Sequence, residues 1–140
     1  TLRFNLRGVG RSQGNYDEGL AEQEDVVAAI AYLNAAGLPA VDLVGYSFGA
    51  WVNARVASRC RDVRRLVMVS PPVAFLDFQE IRDIASLKLV ITGDRDDIAP
   101  ADRIARDLPF WNPAARFEII KGADHFYGGH LNDLKAILTA

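Results

Sequence analysis

Short apolar runs separated by polar, glycine-rich breaks set the rhythm of this chain. Val41–Tyr46, Leu66–Val69 and Leu87–Thr92 are compact aliphatic runs closed by Gly, Ser, Pro or Asp, which predicts three buried strands. Arg116–Ile120 predicts a last strand. Thr1–Leu6 alternates at Leu2, Phe4 and Leu6, which predicts a strand stopping at Gly8-Val9-Gly10-Arg11-Ser12-Gln13-Gly14. Between these runs the period lengthens. Leu20, Val26, Val27, Ile30, Tyr32 and Leu33 approximate a helical stripe that ends before Gly37, with Asp17 or a neighbour as its cap. Helices are also expected from Phe48 to about Arg59, over Ala101–Leu108 and over Leu131–Leu138. The linker Val73–Leu87 has room for one helical turn.

Strands alternating with helices imply an α/β fold, a three-layer sandwich with a mainly parallel sheet covered on both faces by right-handed crossovers. No repeat, low-complexity stretch or linker interrupts the pattern, so residues 1–140 are expected to form one domain. In such sheets, sites form at the C-terminal ends of strands. The loops there are 7–15, 46–48, 70–78, 93–100 and 121–129, and the chemically interesting residues fall in them.

Composition narrows the function classes. Half of the 140 residues are hydrophobic and the formal net charge is −2, with Lys and Arg scattered, so no nucleic-acid footprint is present. No apolar run reaches membrane-spanning length and no signal peptide is visible. A single cysteine, Cys60, excludes an intrachain disulfide, and a cytoplasmic setting is the default expectation.

The strongest chemical signal is Gly45-Tyr46-Ser47-Phe48-Gly49, which joins a buried strand to a helix. This is the pattern of a nucleophile elbow, where Ser47 occupies a strained turn that projects its hydroxyl. Gly45 and Gly49 are expected to let strand and helix pass closely. The helix N-terminus supplies free N–H groups, that of Phe48 first, where an oxyanion would form. A serine hydroxyl needs a base, and the base needs an acid. His125, just after the last strand, is the base candidate, and His130 the fallback. The acid is expected from Asp94, Asp96 or Asp97, where spacing favours Asp96. These aspartates do not complete a calcium loop, which lacks its glycine and distal Glu.

Taken together, the Ser47, Asp96 and His125 motifs appear in the order Ser, Asp, His, with Gly93-Asp94-Arg95-Asp96-Asp97-Ile98-Ala99-Pro100 and Gly122-Ala123-Asp124-His125-Phe126 around the latter two. The whole chain resembles the α/β-hydrolase superfamily, with a flavour of small lidless bacterial esterases related to dienelactone hydrolases. Many of those relatives use Cys as nucleophile, where this chain has Ser47. The segment Arg3–Ser12 resembles the strand and loop before the family's helix B. The resemblance implies a serine hydrolase that acts on an ester or related acyl bond of a small molecule, without metal or cofactor. It also places three strands, one helix and the loop giving a second oxyanion-hole N–H ahead of Thr1, so a fragment of a longer hydrolase is expected; the alternative is a naturally minimal or swapped form. In the family's order a strand lies between Thr1–Leu6 and Val41–Tyr46. Without it these two would pair directly, leave a gap or recruit another chain.

Val73–Leu87 is too short for a cap domain, which implies an open site. Tyr46, Phe75, Phe78 and Tyr127 are candidate pocket walls, each with core packing as the alternative. Arg7 is expected to anchor its loop, or else to bind an acidic substrate. Two rivals remain. One is a non-catalytic domain of the same fold. The other is a dinucleotide-binding domain around Gly8–Gly14, which fits poorly because the third glycine falls one residue late and the ribose-binding acid is absent.

Overall fold

A computed structural model describes residues 1–140. Strands β1 (Val41–Tyr46), β2 (Val63–Val69), β3 (Leu87–Gly93) and β4 (Arg116–Ile120) are interleaved with helices α1 (Glu22–Ala35), α2 (Phe48–Ala57), α3 (Ala101–Trp111) and α4 (Leu131–Thr139). The strands form one parallel sheet in the order β1-β2-β3-β4. Strand order never reverses, so crossovers of one hand must lie on one face. Accordingly α2 and α3 share a core with that face of the sheet, through Val52, Val56, Leu66, Met68, Val90, Ile104 and Trp111, and α1 adds Val26 and Ile30. The opposite face carries a smaller cluster of Val69, Leu89, Ile91, Ile120 and Tyr127, against which Leu134 and Ile137 of α4 pack. The expected cover on both faces is therefore uneven: Val44 of β1 is 58% exposed. No helix is long and apolar enough to cross a membrane.

Several sequence expectations are corrected. Thr1–Leu6 is not a strand. Its alternation has no partner, because β1 pairs with β2 alone and leaves its other edge open. A β-ladder needs a neighbour to hold its backbone groups. Only Leu6 of this segment packs against the core. The stripe assigned to α1 also narrows: Val26 and Ile30 are buried, whereas Leu20, Val27 and Tyr32 are exposed. Asp17 accepts the Ala21 N–H, but the turn before α1 is held chiefly by Glu22, whose buried carboxylate accepts the N–H groups of Asp17 and Gly19 at 2.8 Å each. The Gly8–Gly14 loop follows no strand and opens no helix, which removes the structural context of a dinucleotide fingerprint.

Strand β2 begins at Val63, earlier than its apolar run, because Arg64 and Arg65 hide its start. Both guanidiniums bind Asp42 across the strand pair, at 2.9 and 2.6 Å. The linker before β3 forms turns without a helix. Helix α3 runs through Pro109 to Trp111. Burial of the Trp111 indole, whose ring lies 5.2 Å from that of Phe78, outweighs the lost hydrogen bond at the proline.

The arginine pairs make the fold acid-sensitive. Hydrogen bonds from Arg65 and Arg64 hold Asp42 far below the usual carboxylate range, and Arg7 lowers Asp25 in the same way. A folded-state pKa below the unfolded value of 3.8 adds stability above that pH and loses it as pH falls further. The melting temperature is therefore expected to be flat from neutral pH to about 5 and to fall below about 4. Asp42→Asn should remove part of that fall and cost under about 1 kcal/mol at neutral pH, since water screens the pair. Thermal melts of both proteins across pH check this.

Candidate active site

Ser47 sits between β1 and α2 with φ 53° and ψ −123°, a region that disfavours side chains. Its N–H donates to the Val69 carbonyl at 2.9 Å, tying the turn to the end of β2. Gly45 allows the turn to close: a Cβ there would lie 2.5 Å from the Gly49 carbonyl oxygen and 2.6 Å from the Ala50 nitrogen. Gly49 does not share this role, because a Cβ at Gly49 meets nothing within 4 Å. The close approach is that of the strand's glycine to the helix backbone, so one glycine suffices. At the first position of α2, the Phe48 N–H donates to no acceptor in the chain and is free to receive one.

His125 Nε2 lies 2.9 Å from Ser47 Oγ. On its other side, Nδ1 lies 3.0 Å from both carboxylate oxygens of Asp96. Asp96 is buried and also accepts the Ile98 and Ala99 N–H groups on Oδ1, at 3.0 and 2.8 Å. A carboxylate only accepts, so the imidazole proton belongs on Nδ1 and the Nε2 lone pair faces the hydroxyl. The structure thus brings Ser47, His125 and Asp96 together from three loops. Neither rival acid bonds the histidine. Asp94 accepts the Gly122 N–H at 2.6 Å and so clamps the His125 loop, while Asp97 is exposed. The Arg95 N–H bonds the Ala123 carbonyl in the same clamp. His130 bonds Asp133 on α4.

The proposed pocket walls separate into different environments. Phe78 is 6% exposed, packs into the core beside Trp111 and borders the same groove as Phe75, which does not include Ser47, so it is no wall of the reacting site. Phe75 is 74% exposed and lines a groove of about 670 Å³ between the 73–82 segment and α3 that includes none of Ser47, Asp96 and His125. Tyr127 is buried, two residues after the histidine in the chain, its hydroxyl 2.8 Å from Ser70 Oγ. Burial pushes that phenol up to about 12, against the opposing hydrogen bond from Ser70. Tyr46 alone stands beside the reacting groups. It is half-exposed and its hydroxyl donates to the His125 carbonyl at 2.8 Å. Partial burial and the charges of Asp96 and Asp124 raise its pKa, so it remains a donor. Arg7 is an anchor, with its side chain 2.7 Å from Asp25 and its N–H bonded to the same carboxylate.

Sequence reasoning missed the Tyr46–His125 and Ser70–Tyr127 bonds. Ser70 carries one local signal, its place at the end of β2, but nothing in the sequence identifies Tyr127 as its partner.

The chain matches the model of the alpha/beta hydrolase family over residues 1–130. An alpha-beta serine hydrolase homologue from Coxiella burnetii is 36% identical, with a TM-score of 0.90 over 97% of this chain and 65% of that one. A Xanthomonas campestris member of the α/β serine hydrolases without lid is 32% identical, with a TM-score of 0.87 over 97% of this chain and 62% of that one. An uncharacterised protein of Rickettsia prowazekii is 34% identical over 90% of this chain and 57% of its own length. The chain therefore spans less than two thirds of the length of each.

Proposed function

The chain belongs to the alpha/beta hydrolase family, and from that premise we propose that it is a serine hydrolase acting on an ester or related acyl bond of a small molecule. The observation that carries this reading is the 2.9 Å approach of His125 Nε2 to Ser47 Oγ, with Nδ1 held against a buried carboxylate. Ser47 Oγ attacks the acyl carbon as its proton passes to Nε2. The carbonyl oxygen takes the electron pair and accepts the free Phe48 N–H, an interaction typically worth about 10²–10³ in kcat. Collapse of the tetrahedral species breaks the bond to the leaving group, which takes the proton from Nε2. Water then repeats the sequence on the acyl-enzyme, releasing the acid and restoring Ser47.

No helix or strand interrupts the linker between β2 and β3, which suits an open site and short, accessible acyl groups. A fluorophosphonate probe tests the proposal in the intact protein. Labelling is expected on Ser47, absent in Ser47→Ala and strongly reduced in His125→Gln. An intact protein that neither labels nor hydrolyses a series of esters of increasing chain length would overturn it.

A further inference from the structure

Strands β1 and β4 lie at opposite edges of the sheet, with β2 and β3 between them. Spaced at about 4.8 Å per strand, their ends are about 14 Å apart. The nucleophile leaves the first edge and the histidine leaves the last, so the 121–129 loop must arch back across the sheet to reach Ser47. Two hydrogen bonds connect the elbow to that loop. One is the Ser47–His125 contact itself. The other is Tyr46 Oη to the His125 carbonyl, at 2.8 Å. The Asp94 and Arg95 clamps hold the loop's base to β3, but neither reaches toward β1.

We propose that Tyr46 is a positioning residue for the base: its hydroxyl braces the His125 backbone against the elbow, so that Nε2 stays aimed at Ser47 Oγ. This inference rests on the serine hydrolase reading above. Tyr46 precedes Ser47 in the chain, so nucleophile and brace share one rigid strand end. A shift of the His125 loop would stretch the brace and the Nε2–Oγ contact together. The ring adds a second effect. Its centroid lies 5.3 Å from that of the imidazole at an interplanar angle of 33°, within the range where an aromatic face attracts a ring that gains positive charge. The rings of Tyr46 and Tyr127 meet in an edge-type packing, centroids 6.5 Å apart at 62°. Tyr46 touches no reacting atom in this arrangement. It acts through His125.

Two variants separate the effects. Tyr46→Phe removes the brace and keeps the ring, and Tyr46→Leu removes both. Because the side chain is half-exposed, both are expected to fold, which a thermal melt verifies. Inactivation by a fluorophosphonate is followed at several concentrations to separate the first-order step from half-saturation. Tyr46→Phe should slow the first-order step about fivefold to tenfold, with half-saturation within about twofold of wild type. Tyr46→Leu should be slower still. The NMR signals of the His125 ring should broaden or shift in Tyr46→Phe. A Tyr46→Phe rate equal to wild type overturns the inference, as does a loss confined to half-saturation, the mark of a pocket wall. If the wild type does not react at all, the hydrolase reading fails instead. The brace is then decided by NMR alone: His125 ring signals unchanged by Tyr46→Phe overturn it, and broadened ones support it.

Discussion

Asp96→Asn is expected to lower kcat/KM for ester hydrolysis by about 10⁴-fold while leaving the fold intact. The reason lies in which hydrogen bonds the amide can keep. Its oxygen can replace Oδ1 and go on accepting the Ile98 and Ala99 N–H groups, so the loop stays closed. Its NH₂ group then occupies the place of Oδ2, 3.0 Å from His125 Nδ1. There it donates, while the oxygen, equally near Nδ1 at 3.0 Å, is already taken up by the two loop N–H groups, so the tautomer in which Nδ1 accepts is favoured. The ring proton moves to Nε2, which then faces Ser47 Oγ as N–H and cannot take the serine proton. Thr92 does not oppose the change, because its hydroxyl donates chiefly to the Ala99 carbonyl at 2.7 Å and can accept from the new amide. Steady-state rates on a short-chain ester, beside a thermal melt, measure both halves of the expectation. A loss below about tenfold would mean that Asp96 does not orient the base.

The second large effect concerns stability. Gly45→Ala should destabilise the protein by about 3 kcal/mol or more, because the added methyl meets the Gly49 carbonyl oxygen at 2.5 Å and the Ala50 nitrogen at 2.6 Å. Both neighbours are backbone atoms of the first turn of α2 and cannot rotate away. Relief requires moving the helix start, which displaces Ser47 and the Phe48 N–H as well. Gly49→Ala, in the same motif, should stay within about 1 kcal/mol of wild type, since its methyl meets nothing and alanine suits a helix better than glycine. Denaturant titration of the two variants distinguishes them. Equal costs would show that the motif's glycines act through something other than the contact of strand and helix.

The contrast between those glycines shows how much of the site was legible in the sequence. Gly-x-Ser-x-Gly between a β-branched run and a helical pattern identifies the elbow, but it treats its two glycines alike. Their difference depends on where the helix backbone lies against β1. The aspartates divide in a similar way. Spacing pointed to Asp96 within its loop, yet the separate task of Asp94, bonding the Gly122 N–H, depends on a loop 28 residues away. Tyr46 and Tyr127 could be singled out only as aromatic residues near the site. Their hydroxyl partners lie 79 and 57 residues away, across strands whose order no local pattern encodes.

Elements whose signal is local were read from the chain directly. β3 is a short aliphatic run, buried from Leu89 to Thr92, whereas β1 and β4 carry shorter apolar stretches of which only part is buried, Val44 and Ile119 being exposed. Where the signal is shared with a neighbour, reading failed. Thr1–Leu6 alternates like a strand but has no ladder to join, and Arg64 and Arg65 disguise a strand because Asp42 on the adjacent strand accepts their charge. Helix α3 continues past Leu108 because Trp111 has a core to enter.

The sequence by itself determined the α/β class, the strand ends that carry chemistry, and the residue types able to act as nucleophile, base and acid. Each follows from interactions within a few residues: apolar periodicity, turn chemistry and the conformation of one serine. Only the tertiary structure decided that all the crossovers share one face, that Phe78 belongs to the core, and that the His125 loop is braced by Tyr46. Those outcomes depend on which backbones are neighbours in space. That is set by the parallel order of the sheet as a whole, in which each loop must span the distance between strands before its side chains can meet.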